Sequence, residues 1–385
     1  MPASSRGARV TITPAVSVSL DLMRFVLAII VVVAHMTQRF FQNEWPDITG
    51  IGMIAVGGFF VMSGYTIRAF SPSVAEFNGR RFVVDRVSRM LSVTLLALVA
   101  TLALDTYSSL AAPGWYNHNW GTQADHPVIR IVANVLLLNQ VWGVDMSPLS
   151  NSPFWSLGYE AGFYAIWGSL LFCRHTGRTL LIPLAVALLY GPNVIAVLPF
   201  WLAGVFIYDR FSTPPSRRRA IIAICVSVVG ALVVALLYRQ MHAALTHGLE
   251  AIFQLIGCPR RVQPSLMCGS LLFVFGLTAL FAALELAGPR VHPGARFVAF
   301  SRNLGDATFP LYLLHFPVLV AIGAARDGRP LSTAGMVVAL VALLVLAFAM
   351  LPLGNRLKNA MRALGKRGLA ATPVRGVAGA DDVMR

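Results

Sequence analysis

The first apolar segment of the chain runs from Ser19 to Phe41 and has Arg24 and His35 among its ionisable side chains. Its length of about 20 residues is what a bilayer core requires. Arg24 lies near one end, and His35 follows eleven residues later. On a helix this spacing returns to within about 20° of the same face, about 16 Å along the axis. Ionisable groups inside a membrane span are costly and usually face a cavity or a partner. An arginine can bind an anion and a neutral histidine can accept a proton, so the pair predicts a site for both.

Three further residues with polar groups lie at middle depth in later apolar segments. Glu160 is about eight residues, roughly 12 Å, from the end of its segment, and it is the only acidic residue predicted deep within a span. Ser63 lies near mid-depth, and His315 lies about twelve residues into its segment. The predicted inner level of the membrane holds the cationic groups Arg24, Arg86 and Arg89. This arrangement predicts a cavity with a basic mouth and a deeper level of imidazole, carboxylate and hydroxyl groups.

Each of these residues also has a structural interpretation. Arg24 can extend its charge to the membrane surface, and His35 can pack between helices. Glu160 can be a buried structural partner, although we interpret it as part of the site. For His315 we favour packing or cavity lining over a role as a second base, and for Ser63 we favour close helix approach over a role as a nucleophile. The four cysteines have no metal-binding spacing, and no metal site is predicted.

Composition decides the class of protein. Hydrophobic residues make up 57% of the 385 residues and charged residues only 12%, which excludes a soluble domain. Apolar runs of this length exclude the alternating pattern of a membrane β-barrel. The chain is therefore predicted to be an all-α, polytopic transmembrane bundle. Its net charge of +15 is explained by the position of the charges relative to the membrane rather than by nucleic-acid binding.

Ten segments are predicted to cross the membrane, and two of them are short. They are Ser19–Phe41, Gly50–Phe70, Met90–Leu110, Pro153–Arg174, Thr179–Tyr190, Asn193–Asp209, Ala220–Leu237, Ser265–Leu286, Asn303–Gly323 and Leu331–Leu353. A basic connection is predicted between the second and third crossings, and polar loops are predicted near residues 108–127 and 238–264. Residues 1–18 form a leader, 19–354 the membrane domain, and 355–385 a basic, partly disordered tail.

The segment Val128–Trp142 is apolar but has only about 15 residues, short of a comfortable crossing. If it is re-entrant and the N-terminus is cytoplasmic, 23 of the 31 Lys and Arg residues face the cytoplasm and 7 lie outside, and the remaining one is Arg24 within the first span. This asymmetry follows the positive-inside rule. If the segment crossed, every later assignment would invert and the rule would fail. We therefore predict ten crossings, one re-entrant segment and two cytoplasmic termini.

Five motifs occur in an order that resembles the acyltransferase-3 family of integral-membrane acyltransferases, which modify sugars at cell surfaces. They are Arg-x10-His at Arg24 and His35, FFVMSGY at Phe59–Tyr65, Arg-x-x-Arg at Arg86 and Arg89, WSLGYEAGFY at Trp155–Tyr164, and YLLHFP at Tyr312–Pro317. The resemblance covers about Ser19 to Leu353. Ser92 replaces a common proline, which affects the helix entry. Glu160-Ala161 replaces an acidic pair, so only Glu160 of that pair could matter.

The resemblance implies an O-acyltransferase of the inner membrane that moves an acyl group, foremost acetyl, from cytoplasmic acyl-CoA (foremost acetyl-CoA) to a hydroxyl of a cell-surface or lipid-linked saccharide. The donor-binding residues would be Arg24, Arg86 and Arg89, because guanidinium groups bind phosphate oxygens in a forked geometry. His35 would be the general base or would carry the acyl group itself. Glu160 would orient the His35 ring or pair with an arginine. The substrate cavity would be lined by Ser63, Tyr159 and His315.

A transporter or flippase is the competing function, because buried His/Glu relays and interrupted helices also occur in transporters. Against it, the motifs form no inverted repeat between the two halves of the chain. An inactive scaffold of an export complex is a third possibility. The predicted partners are the bilayer, acyl-CoA and a saccharide, with no nucleic acid, and a homo-oligomer is compatible with the sequence. The sequence leaves the sugar and the choice between acetyl and succinyl open.

Overall fold

The computed structural model describes residues 12–370, apart from residues 72, 122–124, 212–214 and 289–290. The regular structure of this part of the chain is entirely helical, which confirms the predicted all-α membrane bundle. Its α-helices are α1 (Pro14–Met36), α2 (Thr49–Phe70), α3 (Gly79–Ala111), α4 (Pro113–Trp120), α5 (Pro127–Val135), α6 (Trp155–Thr176), α7 (Leu181–Tyr190), α8 (Pro192–Phe211), α9 (Arg217–Leu236), α10 (Tyr238–Leu255), α11 (Pro264–Ala287), α12 (Ala295–Ala325) and α13 (Thr333–Ala370). A helix pairs its own backbone groups, as lipid requires.

Eight of the described helices are long and apolar enough to cross a membrane: α1, α2, α3, α8, α9, α11, α12 and α13. All ten predicted crossings coincide with helices, but α6 and α7 are outside this set. α6 has 22 residues, and its sequence includes Glu160, two glycines in its first turns and two tyrosines. α7 has ten residues, which rise about 15 Å, or half of a bilayer core. α7 is therefore too short to cross alone.

The segment predicted to be re-entrant meets α6 and the short α7 inside the bundle. Its α-helix is α5, which begins at Pro127, has only nine residues and rises about 14 Å, about half of a bilayer core. Asn139 packs against Gly158 of α6, and Trp142 packs against Gly191 in the turn between α7 and α8. Asn139 is buried and donates from Nδ2 to the carbonyl oxygen of Phe154 at 3.0 Å. The amide of Asn139 thus ties the segment to the backbone carbonyl of the residue just before α6.

Two helices begin earlier in the sequence than their apolar runs predict, and a capping side chain precedes each of them. Thr13 caps α1, which begins five residues before the predicted span. Asn78 accepts a hydrogen bond at Oδ1 from the backbone N–H of Arg81 at 2.9 Å, and α3 begins at Gly79. Part of the predicted basic connection is therefore helical, because four of its arginines lie on the first turns of α3: Arg80, Arg81, Arg86 and Arg89.

Three helical regions differ from the sequence prediction. The predicted polar loops contain α4 and α10, and α10 is amphipathic, with Leu249 and Phe253 buried on one side. Polar loops were predicted there because neither segment has a long apolar run. α13 continues to Ala370, so the first part of the predicted tail is helical. The predicted disorder at residues 371–385 lies outside the described residues.

α2 is largely buried in the bundle and packs closely against α8. A Cβ atom at Gly64 would lie 1.8 Å from the carbonyl oxygen of Trp201, and one at Gly204 would lie 2.0 Å from that of Val61. Only glycine permits these two reciprocal backbone contacts. They bring Ser63 against α8, where the indole N–H of Trp201 donates to Ser63 Oγ at 3.3 Å.

Candidate active site

A basic cavity of about 330 Å³ opens among the ends of α1, α2, α3, α12 and α13. Its positive side chains are Arg24, Arg89, Arg302, Lys358 and Arg362. Its acidic side chains are Asp21 and Asp306, and Asp21 Oδ1 lies 3.5 Å from Arg24 Nη1. Positive charges outnumber negative charges, so this basic cavity favours an anionic ligand.

A narrower cavity of about 140 Å³ adjoins the basic cavity and extends further into the bundle. Arg24, Arg89 and Thr66 contribute to the walls of both. Further in, the walls combine the polar groups of Ser63, Ser156 and Glu160 with the aromatic rings of Phe59, Phe60 and Tyr312. We call this cavity the inner passage. An extended, mostly apolar chain with a few polar groups would match its lining.

A hydrogen-bonded group surrounds Glu160 halfway along the inner passage. Ser63 donates from Oγ to Glu160 Oε1 at 2.9 Å, and the hydroxyl of Tyr164 donates to the same oxygen. Trp201 donates to Ser63 and completes the group. The carboxylate thus accepts two hydroxyl donors, which holds it in a fixed position while it faces the passage. The predicted role of Glu160 in orienting the His35 ring has no contact to support it in this arrangement.

Four predicted site residues lie outside the walls of both cavities: Arg86, Tyr159, His35 and His315. Arg86 lies over the rings of Phe82 and Tyr164, with its guanidinium carbon 5.6 Å and 5.9 Å from the ring centroids. Tyr159 is 1% exposed and packs against aromatic rings of α2 and α6. Its hydroxyl has no hydrogen-bond partner within the described ranges. Arg86 thus contacts the Glu160 group through Tyr164, whereas Tyr159 belongs to the aromatic core.

The two membrane histidines form a pair at the far end of the bundle from the basic cavity. His315 Nε2 lies 3.1 Å from His35 Nδ1, and the ring centroids are 5.0 Å apart. His35 Nδ1 also lies 2.9 Å from the carbonyl oxygen of Val31, and His315 Nδ1 lies 2.7 Å from that of Tyr312. His315 is fully buried, whereas His35 is partly exposed. His315 therefore neither lines the inner passage nor stands alone in the core, because it contacts His35.

The backbone of α12 is held beside this pair by a side chain from outside the helix. Pro317 has no N–H and cannot bond the carbonyl oxygen of Leu313 four residues earlier. Asn151 donates from Nδ2 to that oxygen at 2.9 Å, and also to Thr101 Oγ1 at 2.9 Å. Asn151 is fully buried. It satisfies the carbonyl oxygen that the proline leaves free and ties α12 to α3 one turn from His315.

Two helical stripes connect the cavities with the histidine pair. On α1, the predicted spacing from Arg24 leads along one face to His35. On α12, Gly305, Thr308 and Tyr312 line the inner passage, and the next residue of that stripe is His315. The Tyr312 hydroxyl lies 2.9 Å from Ser156 Oγ, and its ring centroid is 6.0 Å from that of His315. The inner passage therefore ends one helical turn from the pair.

A family model described as an acyltransferase domain, that of acyltransferase-3, matches residues 17–352. The chain belongs to the acyltransferase-3 family. This family and the membrane-spanning helices make the protein a multi-pass membrane acyltransferase. No curated protein and no solved structure matches the chain. Within the part matched to the family lie both histidines, the Glu160 group and most of the basic cavity, whereas Lys358 and Arg362 follow it.

Sequence reasoning missed several residues that the structure brings to the site. Asp21, Arg302, Lys358 and Arg362 line the basic cavity, and Asn151 supports the helix of His315. The last two basic residues were interpreted as ordinary charges of a cytoplasmic tail. The signal that could have found them is helical spacing, because Lys358 and Arg362 are four residues apart and therefore share a face of a continued α13.

Proposed function

We propose that this acyltransferase moves an acyl group, foremost acetyl, from cytoplasmic acyl-CoA to a hydroxyl of a cell-surface or lipid-linked saccharide, with His35 as the general base. The observation that carries the proposal is the alignment of three parts along the bundle. A basic cavity leads into a narrow passage, and the passage ends one turn from a histidine pair. Each part matches one part of the donor or of the reaction.

The basic cavity suits the phosphates of CoA. Guanidinium groups form paired, charge-assisted hydrogen bonds with phosphate oxygens, and three arginines and a lysine besides Arg24 contribute to the walls. Arg24 and Arg89 stand where the basic cavity and the inner passage share a wall. In this proposal they bind the diphosphate, and Arg302, Lys358 and Arg362 bind the phosphate on the ribose. Arg86 acts indirectly, because it supports Tyr164 and the Glu160 group.

The inner passage suits the pantetheine arm. The distance of about 16 Å from Arg24 to His35 along α1 is a length that an extended arm can cover. Ser63 and Glu160 offer polar contacts to the amides of the arm, and Phe59 and Phe60 offer apolar ones. Tyr312 lies between the end of the passage and the histidines, so its side chain must turn aside for the thioester to reach them.

His35 supplies the proton transfer. The acceptor hydroxyl gives its proton to the free ring nitrogen of His35 while its oxygen attacks the thioester carbonyl carbon. The C–S bond breaks, the new C–O ester bond remains on the saccharide, and the proton passes to the departing CoA sulfur. His35 lies towards the end of the bundle opposite the basic cavity, so donor and acceptor can approach from opposite sides.

The test of this proposal is transfer from a labelled donor. Membranes that contain the protein are incubated with acetyl-CoA labelled in the acetyl group, and label is measured in the saccharide fraction together with free CoA. We expect both to appear together, and both to be absent from membranes without the protein. Donor that remains intact while a glycan is translocated would contradict the proposal and favour a transporter.

A further inference from the structure

The hydrogen bonds of the histidine pair have a defined direction. Carbonyl oxygens can only accept hydrogen bonds, so the proton of each ring must lie on the nitrogen that faces a carbonyl. For His315 this nitrogen is Nδ1, which faces the carbonyl oxygen of Tyr312 at 2.7 Å. For His35 it is also Nδ1, which faces the carbonyl oxygen of Val31 at 2.9 Å. With both protons placed in this way, His315 Nε2 is an acceptor 3.1 Å from His35 Nδ1, and the single Nδ1–H of His35 is shared between the Val31 carbonyl oxygen and His315 Nε2.

We propose that His315 is a positioning residue for His35: it accepts the Nδ1 proton of His35, which leaves Nε2 of His35 free as the base. This inference rests on the proposed function, in which His35 takes a proton. The opposite arrangement, with His315 Nε2 as donor, would place a lone pair of His35 Nδ1 against the lone pairs of the Val31 carbonyl. It would also require a second proton on His315, a buried positive charge with no carboxylate among its contacts.

The same contact acts on the protonated form of the ring. When His35 Nε2 takes the proton of the acceptor hydroxyl, the ring becomes an imidazolium and its Nδ1–H becomes a stronger donor. The lone pair of His315 Nε2 then stabilises this cation without adding a negative charge to the membrane interior. The proton leaves from His35 Nε2 to the departing sulfur, and both rings return to their neutral state. His315 thus takes the place that an acidic partner has in a Ser-His-Asp triad.

The surroundings of His315 are built to hold this position. His315 is fully buried and lies between Tyr312 and Pro317 on α12. Asn151 holds the carbonyl oxygen of Leu313 next to it. The ring of Phe316 stands perpendicular to the His35 ring at a centroid distance of 5.3 Å. These contacts restrict both rings, so the hydrogen bond between them does not depend on the bound substrate.

The first readout is the tautomer of His35, measured by ¹⁵N NMR on ¹⁵N-histidine-labelled protein in lipid nanodiscs. Protonated and unprotonated ring nitrogens have separate ¹⁵N signals, and His35→Gln identifies which of the eight histidines is His35. We expect a proton on Nδ1 and none on Nε2 in the wild-type protein. In His315→Phe, the proton should stay on Nδ1, which still faces the Val31 carbonyl, but the Nδ1 signal should move because its contact with His315 Nε2 is lost. A wild-type His35 that is protonated on Nε2, or a His35 spectrum unchanged in His315→Phe, would overturn the inference.

The second readout is acyl transfer by matched variants of position 315. His315→Phe keeps a ring of similar size but cannot accept, so kcat should fall about 10- to 100-fold, as for other partners that orient a functional histidine, with KM for the donor unchanged. His315→Gln can accept through its amide oxygen and should retain more activity. Leu314→Val, a buried change on the same turn, should behave like the wild-type protein. A packing role predicts the reverse, with Phe active and Gln inactive, and that order would overturn the inference.

Failure of this inference can be told apart from failure of the proposed function. If His35→Gln transferred the acyl group normally, the proposed base would be wrong, and with it the catalytic part of this inference. If His35→Gln were inactive but His315→Phe had the wild-type kcat, the proposed function would stand and the role of His315 would be wrong. Binding of labelled acetyl-CoA to each variant confirms that the protein is folded in either case.

Discussion

At the scale of single residues, the candidate site divides into two groups. His35 and His315 form the group proposed for the chemical step, and Glu160 with Ser63 and Tyr164 forms the group along the passage. The Arg24–His35 spacing could be predicted from the sequence because both lie on one helix, whose geometry is fixed. The contact between His35 and His315 spans 280 residues and depends on how α1 packs against α12. No spacing rule contains that information.

The group along the passage gives a prediction that separates binding from chemistry. Glu160→Gln removes the charge but keeps the size of the side chain. In the proposed function it weakens the charge-assisted contact of Glu160 with an amide of the pantetheine arm, and such contacts are worth about 1.5–3 kcal/mol. We expect KM for acetyl-CoA to rise about 10-fold or more, with kcat close to that of the wild-type protein. Steady-state transfer kinetics at varied donor concentration measure both values. A loss of kcat alone would show that Glu160 takes part in the chemical step instead.

At the scale of helices, α13 has two functions that composition alone does not separate. Its apolar part lies in the membrane bundle, and its continuation beyond Leu353 brings Lys358 and Arg362 to the basic cavity. Arg362 also lies 3.4 Å from Asp85 of α3, which holds the continuation in place. The helix was predicted to end where its apolar run ends. It continues because the contacts with α3 supply the packing that the polar sequence lacks on its own.

The helical continuation gives a second prediction. The double change Lys358→Ala and Arg362→Ala removes two positive charges from the basic cavity and should weaken binding of acetyl-CoA about 10- to 100-fold. Dephospho-CoA esters, which lack the ribose phosphate, should lose much less affinity. Arg356→Ala is the matched control, because Arg356 is exposed on the same helix and is not among the residues that line the cavity. Equal losses of affinity for both donors would show that Lys358 and Arg362 do not bind the ribose phosphate.

At the scale of the whole molecule, the asymmetric distribution of charge predicts the orientation of the bundle in the membrane. The hydrophobic pattern predicted the all-α fold, because lipid leaves the backbone few alternatives, and eight of the ten predicted crossings coincide with helices long and apolar enough to cross. It could not predict that α7 is half the length of a crossing and that Trp142 packs against Gly191 directly after it. That arrangement depends on contacts between segments that lie about 50 residues apart in the sequence.

The orientation gives a third prediction, which single-cysteine labelling can test. We expect a cysteine at Asn117 on α4 to react with an impermeant reagent added outside, and a cysteine at Arg178 to react only after the membrane is opened. Both residues are exposed in the structure, so access of the reagent depends on the side of the membrane. The variants are made in a background without the four native cysteines. Labelling of both positions from the same side would contradict the predicted re-entrant segment.

The central claim is that His35 takes the proton of the acceptor hydroxyl, and transfer by His35→Gln tests it most directly. Glutamine keeps hydrogen-bonding groups at this position but cannot act as a base, and general-base catalysis contributes about 10²- to 10⁴-fold. The variant should bind labelled acetyl-CoA like the wild-type protein. It should transfer the acetyl group to the saccharide at a rate at least 100-fold lower than that of the wild-type protein. Near-normal transfer by His35→Gln would show that His35 is a structural residue and would contradict the proposed mechanism.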